Sequence, residues 1–494
     1  MSKWKMRSSI MNLLARLPMY FATAVAVFIA STLVTCVVIA VRARRRKRTA
    51  RKNNEFRPII GFFHPYCLSG GGGERVLWAA LNGLGKRYPE NEYVIYTGDS
   101  PEACMSFRSH VMERFHIDIP SGLHVNFVHL STRSLLEGRR YPVLTMILQS
   151  VGSCIVGLEG LWKLCPDVFI DTTGHAFTLP IFRFIGGCRT AAYVHYPTIS
   201  TDMLSRVQQR KEAVNNSFVV SRSAFLSSLK VFYYRFFAFL YGLAGKCCEV
   251  VTVNSTWTAG HIRDIWCSQN VTIIYPPCNV TEFLSIQVWP DSWKQKIIIV
   301  SIGQFRPEKD HPLQLRSLRT LLARRRDLRS RVELHFVGSC RNAEDEARVE
   351  KLRELAAKLD ISKNIVFHLN APFKELLNIC QHGTIGLHSM WNEHFGIGVV
   401  ECMAAGLVTV AHNSGGPKAD ILKDWEGEKT GFLADDEYTY SLAIENVIRC
   451  NDFQKDAIRT AARSSVSRFT DEVFMTDFVS AVSALFVLDH SEKL

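Results

Sequence analysis

The chain has 494 residues, 47% of them hydrophobic and 21% charged, with a formal net charge of +13. That length exceeds what one hydrophobic core supports, so two domains are expected, and the composition excludes a disordered chain. The charge excess is local: residues 42–52 (RARRRKRTARK) hold eight cations and no anion, which leaves +5 elsewhere. With no zinc-ligand spacing or RNA-binding signature beside that run, a nucleic-acid partner is excluded.

Residues 17–41 are uncharged throughout. About 20 apolar residues suffice to span a bilayer, whereas the apolar region of a cleaved signal peptide is only about 7–15 residues. Lys3, Lys5, Arg7 and Arg16 precede the stretch against eight cations after it, an asymmetry that keeps the following residues cytosolic. Residues 1–56 are therefore expected to form a single-pass anchor with a basic juxtamembrane segment, 57–290 a first α/β unit and 291–494 a second. A cytosolic body keeps the fourteen cysteines reduced. It also leaves the sequons at Asn215, Asn254, Asn270 and Asn279 unmodified.

From residue 58 short apolar runs alternate with helical stretches. Residues 58–64, 92–98, 124–130, 167–171, 190–195, 249–253 and 271–275 read as strands of the first unit. Residues 297–303, 332–338, 364–369, 384–388 and 408–412 read as strands of the second, with WPDSWKQ (289–295) as the connection. This alternation implies parallel sheets covered by helices. The fold class expected is α/β, with two Rossmann-like domains facing a cleft, because ligands in such sheets sit beyond the carboxyl ends of the strands. Two further stretches, 141–165 and 224–247, are apolar but interrupted by charges. They read either as buried core or as helices in the membrane interface beside the anchor.

Several strand ends carry residues with chemistry. Gly70 to Gly73 follow the first strand; Gly72 and Gly73 let backbone N–H groups approach an anion. The run fits neither a dinucleotide fingerprint nor a P-loop. His195 ends a strand of the first unit, where it can bond a sugar hydroxyl or serve as a structural histidine, and Asp202 is a candidate for an acceptor hydroxyl. After the first strand of the second unit, Arg306 and Lys309 are two cations able to neutralise a diphosphate. The segment HSMWNEHFGIGVVECMAAG then places Glu393 on a loop and Glu401 on the following helix. Between them the N–H groups of Phe395, Gly396 and Ile397 lie near that helix's N-terminus, where a phosphate binds readily. The chain has no D-x-D, the motif that holds Mg²⁺ or Mn²⁺ against a nucleotide diphosphate elsewhere. A leaving-group site that needs no metal is expected.

EHFGIGVVECMAAG followed by AHNSGGPKADI (411–421) resembles the signature of retaining nucleotide-sugar glycosyltransferases of family 4. With FFHPYC…GGGGERVLW, YVHYPTISTDML and GQFRPEKDHPLQ it resembles the branch of that family that adds α-1,2-linked mannose to dolichol-linked oligosaccharides, over residues 57–485. The resemblance implies a GT-B arrangement with the acceptor on the first domain and the donor on the second. It implies GDP-mannose as donor and a mannosylated chitobiosyl diphosphate-dolichol as acceptor. It also implies addition of the fourth and fifth mannoses on the cytosolic face of the endoplasmic reticulum membrane, with other mannosyltransferases of the pathway as partners. Glu393 and His195 are implied at the donor sugar, Glu401 on the ribose, and the glycine loop near the diphosphate. The family places Arg directly after the glycine matched by Gly303 and Lys six positions after it. Here Gln304 stands in the first place with Arg306 two further on, so Lys309 is the direct carry-over. Two other readings are a relative that transfers another sugar to a lipid acceptor, such as N-acetylglucosamine to phosphatidylinositol, and a catalytically inactive scaffold subunit. The intact Glu393, Glu401, Lys309 and glycine loop weigh against the scaffold.

Overall fold

The structure, a computed structural model, describes residues 57–203, 224–291 and 295–486, with positions 23, 31, 34–42 and 45 ahead of them. Most of the expected span at 17–41 lies outside the described residues. Of its C-terminal part, Ile39 is buried, and the Arg42 guanidinium beyond it lies 4.7 Å over the Trp162 ring.

Two parallel sheets account for the fold. The first contains β1 (Ile59–Phe63), β2 (Glu92–Thr97), β3 (Val125–His129), β4 (Val168–Asp171), β5 (Arg189–Val194), β6 (Val250–Val253) and β7 (Val271–Ile273), in the order β3-β2-β1-β4-β5-β6-β7. The second contains β8 (Ile297–Ile302), β9 (Val332–Gly338), β10 (Ile365–Leu369), β11 (Ile385–His388), β12 (Val408–His412) and β13 (Gly431–Ala434), in the order β10-β9-β8-β11-β12-β13. Each sheet therefore reverses its strand order beside its own first strand, and that switch point is where α/β sheets bind ligands. Twelve of these strands coincide with the runs read from the sequence. The thirteenth, β13, is an edge strand that opens on Gly431 and runs directly into two aspartates, so its apolar run is only Phe432 to Ala434.

Strand sequences here are continuous apolar runs because both faces of each sheet are covered. In β1, Ile59 and Phe63 enter one core while Ile60 and Phe62 enter the opposite one. The helices that bear on the site are α1 (Gly72–Arg87), α2 (Thr145–Lys163), α3 (Ala224–Gly245), α4 (Thr256–Trp266), α5 (His311–Arg324), α6 (Ile397–Ala404) and α7 (Asp471–Val482). The stretches left open as core or interface, 141–165 and 224–247, are each divided between the two. On α2, Gly152, Val156, Gly160 and Leu161 are buried while Leu148, Val151, Ile155 and Trp162 are exposed. On α3, Tyr234, Phe237 and Tyr241 are buried while Phe232, Phe236, Phe239 and Leu243 are exposed. Among the described residues α2 is the one helix long and apolar enough to cross a membrane by length and composition.

Residues 471–486, assigned from sequence order to the second unit, pack against the first sheet. Phe474, Phe478, Val482 and Leu485 join the core beneath β1 and α1. Arg75 on α1 grips Asp471 through two hydrogen bonds of 3.0 and 2.5 Å and also donates to the Phe115 carbonyl at 2.9 Å. The chain thus returns across the cleft and ties its end to its beginning. Asp471→Ala leaves this buried guanidinium with only one of its partners. Because Asp471 is partly exposed, the expected loss is about 2 kcal/mol rather than the full cost of breaking a buried pair. Arg75→Lys is expected to lose a comparable amount, since an ammonium cannot reproduce the fork. Denaturation midpoints of the two variants test this.

Candidate active site

On the second sheet, the turn Pro307–Lys309 follows β8 and leads into α5 through Asp310, whose φ of 44° and side-chain bond to the Leu313 N–H at 3.2 Å cap the helix. Ser389, just past β11, donates to the Lys309 carbonyl at 2.6 Å and accepts from Gln314 Nε2 at 2.8 Å, which fixes the turn. From it Lys309 Nζ reaches Oε2 of Glu393, and His388 Nε2 donates to the same oxygen at 3.1 Å. Burial pushes the Glu393 carboxyl up, but the Lys309 ammonium and the His388 bond outweigh it and hold the group well below the usual carboxylate range. Glu393 is therefore an ionised, buried carboxylate with a fixed orientation.

The loop that carries Glu393 is itself pinned. Asn392 takes a left-handed φ of 50°. Its N–H donates to Ser414 Oγ at 2.8 Å, and the Gly416 N–H donates to the Glu393 carbonyl at 2.8 Å. A Cβ on Gly415 would stand 2.3 Å from the Glu393 carbonyl oxygen, and one on Gly416 would stand 2.4 Å from that of Phe395. The glycines of SGGP thus permit one loop to lie directly on the other. Gly396 precedes α6 with φ of 116°, and Phe395 is buried against Tyr275 and Phe469. This leaves the first-turn N–H groups of Ile397 and Gly398, which an α-helix does not satisfy internally, at the cleft end of α6.

Glu401 sits one turn along α6 and differs from Glu393 in every electrostatic respect. Among the described residues no hydrogen bond or ion pair is made to its carboxylate. Burial raises its carboxyl to about 7, against a weaker downward pull from Arg75.

The first sheet faces these groups. Gly72 and Gly73 are not a free loop but the opening turn of α1. The Gly71 N–H is taken by Glu74 Oε2 at 2.6 Å, and Glu74 Oε1 lies 3.5 Å from His64 Nε2. His64 Nδ1 is in turn 2.8 Å from Thr172 Oγ1, and the Thr172 carbonyl accepts from His195 Nε2 at 3.1 Å. Because a carbonyl can only accept, His195 carries its proton on Nε2 and leaves Nδ1 as an acceptor. Burial, with His64 adding to it, lowers His195 to about 4, so the ring is neutral. A Cβ on Gly73 would lie 3.8 Å from that ring, and one on Gly72 would lie 2.8 Å from Ile397 Cδ1 at the start of α6. The N-termini of α1 and α6 therefore meet across the cleft.

The two sheets are clasped beside this point. Asp420 accepts from the Thr256 N–H at 3.0 Å, Thr256 Oγ1 at 2.5 Å and Tyr275 Oη at 3.2 Å. Asp202, read as an acceptor contact, accepts from Asn392 Nδ2 at 2.6 Å and lies 3.5 Å from His261 Nε2, so here it bridges the units. Tyr196 packs on His394 with centroids 4.1 Å apart. Arg306 stays half-exposed, 3.8 Å from Glu308, and is not brought to the carboxylate that Lys309 engages. His64, Glu74, His388 and Ser389 were given no role from the sequence, and Ser414–Gly416 were noted only as part of the family signature. A Glu three residues after Gly71, placed to accept from that residue's N–H, and the SGGP glycines were the available signals.

Two family profiles match the chain: ALG11 mannosyltransferase N-terminus over residues 57–266 and Glycosyl transferases group 1 over residues 289–464. The human GDP-Man:Man(3)GlcNAc(2)-PP-Dol alpha-1,2-mannosyltransferase is 47% identical, covering 93% of this chain and 94% of its own. Proteins of the same name from Caenorhabditis elegans and Dictyostelium discoideum are each 41% identical, covering 84% and 86% of this chain and 89% and 84% of their own. Among solved structures, a glycosyltransferase from Rickettsia africae superposes with a TM-score of 0.58 at 14% identity, covering 87% of this chain and 99% of its own. Anabaena HepE in complex with UDP and glucose gives 0.55 at 15%, covering 86% and 99%. At such identities these two bear on the fold alone, a pair of α/β domains of GT-B type.

The two carboxylates have opposite pH linkage. Glu401 is raised in the fold, so the folded state binds more protons between the unfolded value near 4.5 and about 7, and stability falls as pH rises through that window. Glu393 is depressed, so its contribution is complete above the unfolded value and disappears only in acid. Glu401→Gln is expected to raise Tm relative to the unmodified chain at pH 8 but not at pH 5. Lys309→Met, which strands the Glu393 charge, is expected to lower Tm more at pH 8 than at pH 5. Thermal melts at the two pH values decide both.

Proposed function

The chain belongs to the family of GDP-Man:Man(3)GlcNAc(2)-PP-Dol alpha-1,2-mannosyltransferases, and from that premise we propose that it transfers mannose from GDP-mannose to Man(3)GlcNAc(2)-diphosphate-dolichol. The transfer is α-1,2 and retaining, and it occurs twice, adding the fourth and fifth mannoses. The observation that carries the reading is the Lys309–Glu393 pair lying where the N-termini of α1 and α6 converge. A nucleoside diphosphate in that place meets positive charge from three sides: Lys309 Nζ, the N–H groups opening α6, and the N–H groups of Gly72 and Gly73.

Each residue then has a task that its environment supports. Glu401, without a partner among the described residues, accepts hydrogen bonds from ribose hydroxyls. Glu393 faces the sugar on which positive charge develops as the bond to phosphate breaks. His195, neutral with Nδ1 open, accepts from a sugar hydroxyl. The departing diphosphate receives the acceptor's proton while Lys309 balances its charge, so no divalent cation is required. The exposed apolar faces of α2 and α3, with the basic anchor ahead of them, support attachment to the cytosolic face of the endoplasmic reticulum membrane.

The test is transfer by the purified full chain from GDP-mannose to Man(3)GlcNAc(2) on a polyprenyl diphosphate, in the presence of EDTA. The expected products are one and two hexoses heavier and are trimmed back by an α-1,2-specific mannosidase. Transfer that requires added Mn²⁺ would contradict the metal-free site, and products resistant to the mannosidase would contradict the linkage.

A further inference from the structure

His64, Thr172 and His195 each stand one position past the carboxyl end of a strand, β1, β4 and β5, and these three strands are neighbours in the first sheet. The register that sets Phe63 beside Asp171 brings the next two side chains together, so His64 Nδ1 lies 2.8 Å from Thr172 Oγ1. His64 is 2% exposed and Thr172 is completely buried, so neither reaches a ligand in the cleft. His195 is the partly exposed end of the chain and lies beside Gly73 at the start of α1.

Glu74 fixes the ring of His64. Burial pushes the Glu74 carboxyl up, but the hydrogen bond and charge of His64 outweigh it and hold the group below its ordinary value. An ionised carboxylate only accepts, so His64 Nε2, 3.5 Å from Glu74 Oε1, carries a proton, and Nδ1 is the nitrogen turned to Thr172. The other Glu74 oxygen accepts from the Gly71 N–H at 2.6 Å, which fixes the carboxylate in turn. Thr172 is then held at its side chain by His64 and at its N–H by the Phe63 carbonyl, 3.4 Å away. Its own carbonyl therefore has a set direction, and it receives the His195 Nε2 proton at 3.1 Å. Tyr193 packs edge-on against the same ring, with centroids 4.8 Å apart. The result is an imidazole whose Nδ1 is an acceptor pointing one way.

We propose that Glu74, His64 and Thr172 are positioning residues for the transfer, holding the His195 ring so that Nδ1 meets the sugar hydroxyl in the reacting geometry. His64 is the link that an apolar ring of similar size cannot replace, because a phenylalanine fills the volume and makes neither bond. The assignment rests on the function proposed above and adds to it a chain of residues that acts through His195.

The test is steady-state transfer from GDP-mannose by the purified full chain, with His64 replaced in three ways. In His64→Asn the amide nitrogen falls near the place of Nδ1 and keeps the bond to Thr172. In His64→Gln it falls near the place of Nε2 and keeps only the bond to Glu74, and His64→Phe keeps neither. The expected result for His64→Phe and His64→Gln is a fall in kcat of about ten- to a hundredfold, the scale for a group displaced by up to about 1 Å. KM for GDP-mannose changes little, and His64→Asn restores most of kcat. His195→Ala lowers kcat by itself, and adding His64→Phe to it is expected to cost nothing further, because residues acting through one group are not additive. An undiminished kcat in His64→Phe, a loss that persists in full beside His195→Ala, or equal losses in His64→Asn and His64→Gln overturns the proposal. If His64→Phe does not fold, Thr172→Val, which keeps the shape and removes the hydroxyl, takes its place beside His195→Ala with the same outcomes. Unmodified protein that transfers no mannose contradicts the functional reading itself and the assignment with it, whereas active protein indifferent to His64 contradicts the assignment alone.

Discussion

Burying a carboxylate without a counter-charge is so costly that the group would take up a proton instead. Glu393 stays ionised because Lys309 and His388 converge on one of its oxygens, and the surrounding architecture can be read as the means of keeping them there. Ser389 and Gln314 fix the turn from which Lys309 extends. Gly415 and Gly416 let the SGGP loop press on the backbone of residues 392–395. Tyr440, packed at the centre of the second core, donates to the His388 carbonyl at 2.8 Å. These groups arrive from the segments that follow β8, β11, β12 and β13, so the pair depends on the register of the second sheet.

The first sheet contributes the other half of the cleft and is held against the second by polar contacts beside the cleft, together with an apolar cluster in which Tyr275, Cys278, Val280 and Phe283 meet Phe395, Val399 and Phe469. Asp420 on the N-terminus of α4, Asp202 on Asn392 and Tyr196 on His394 surround the place where Gly72 approaches Ile397. Such contacts are individually modest and exchangeable with water, which suits a cleft that must open to release a nucleotide. The return of α7 to the first sheet does the opposite. Its buried aromatic residues and the Arg75–Asp471 fork fix it to the first sheet through an apolar core.

Strand positions were legible because doubly covered parallel strands leave unbroken apolar runs, and twelve could be read directly. The edge strand β13 could not, and neither could the path of α7, since sequence order does not reveal which sheet a terminal helix covers. Within the site, Lys309, Glu393 and Glu401 stood out through their places at strand and helix ends. Their very different states did not: the same residue type is depressed by an ammonium at 393 and raised by burial at 401. The His64–Thr172–His195 chain joins residues more than a hundred positions apart and exists only once β1, β4 and β5 are adjacent. Asp202 illustrates the converse. Its position was noticed, but its bond to Asn392 lies in the other unit and no local pattern announces it.

In the proposed function the negative charge of Glu393 acts on the donor sugar rather than serving only to pair with Lys309. Steady-state kinetics of Glu393→Gln with GDP-mannose as the varied substrate test this most directly, since the amide keeps the shape and removes the charge. The prediction is a fall in kcat of about 10²–10³-fold, the scale of one preorganised electrostatic contact, with little change in KM for the donor. A variant with kcat near that of the unmodified enzyme would contradict it, and would reduce the Lys309–Glu393 pair to a fastening of the loop.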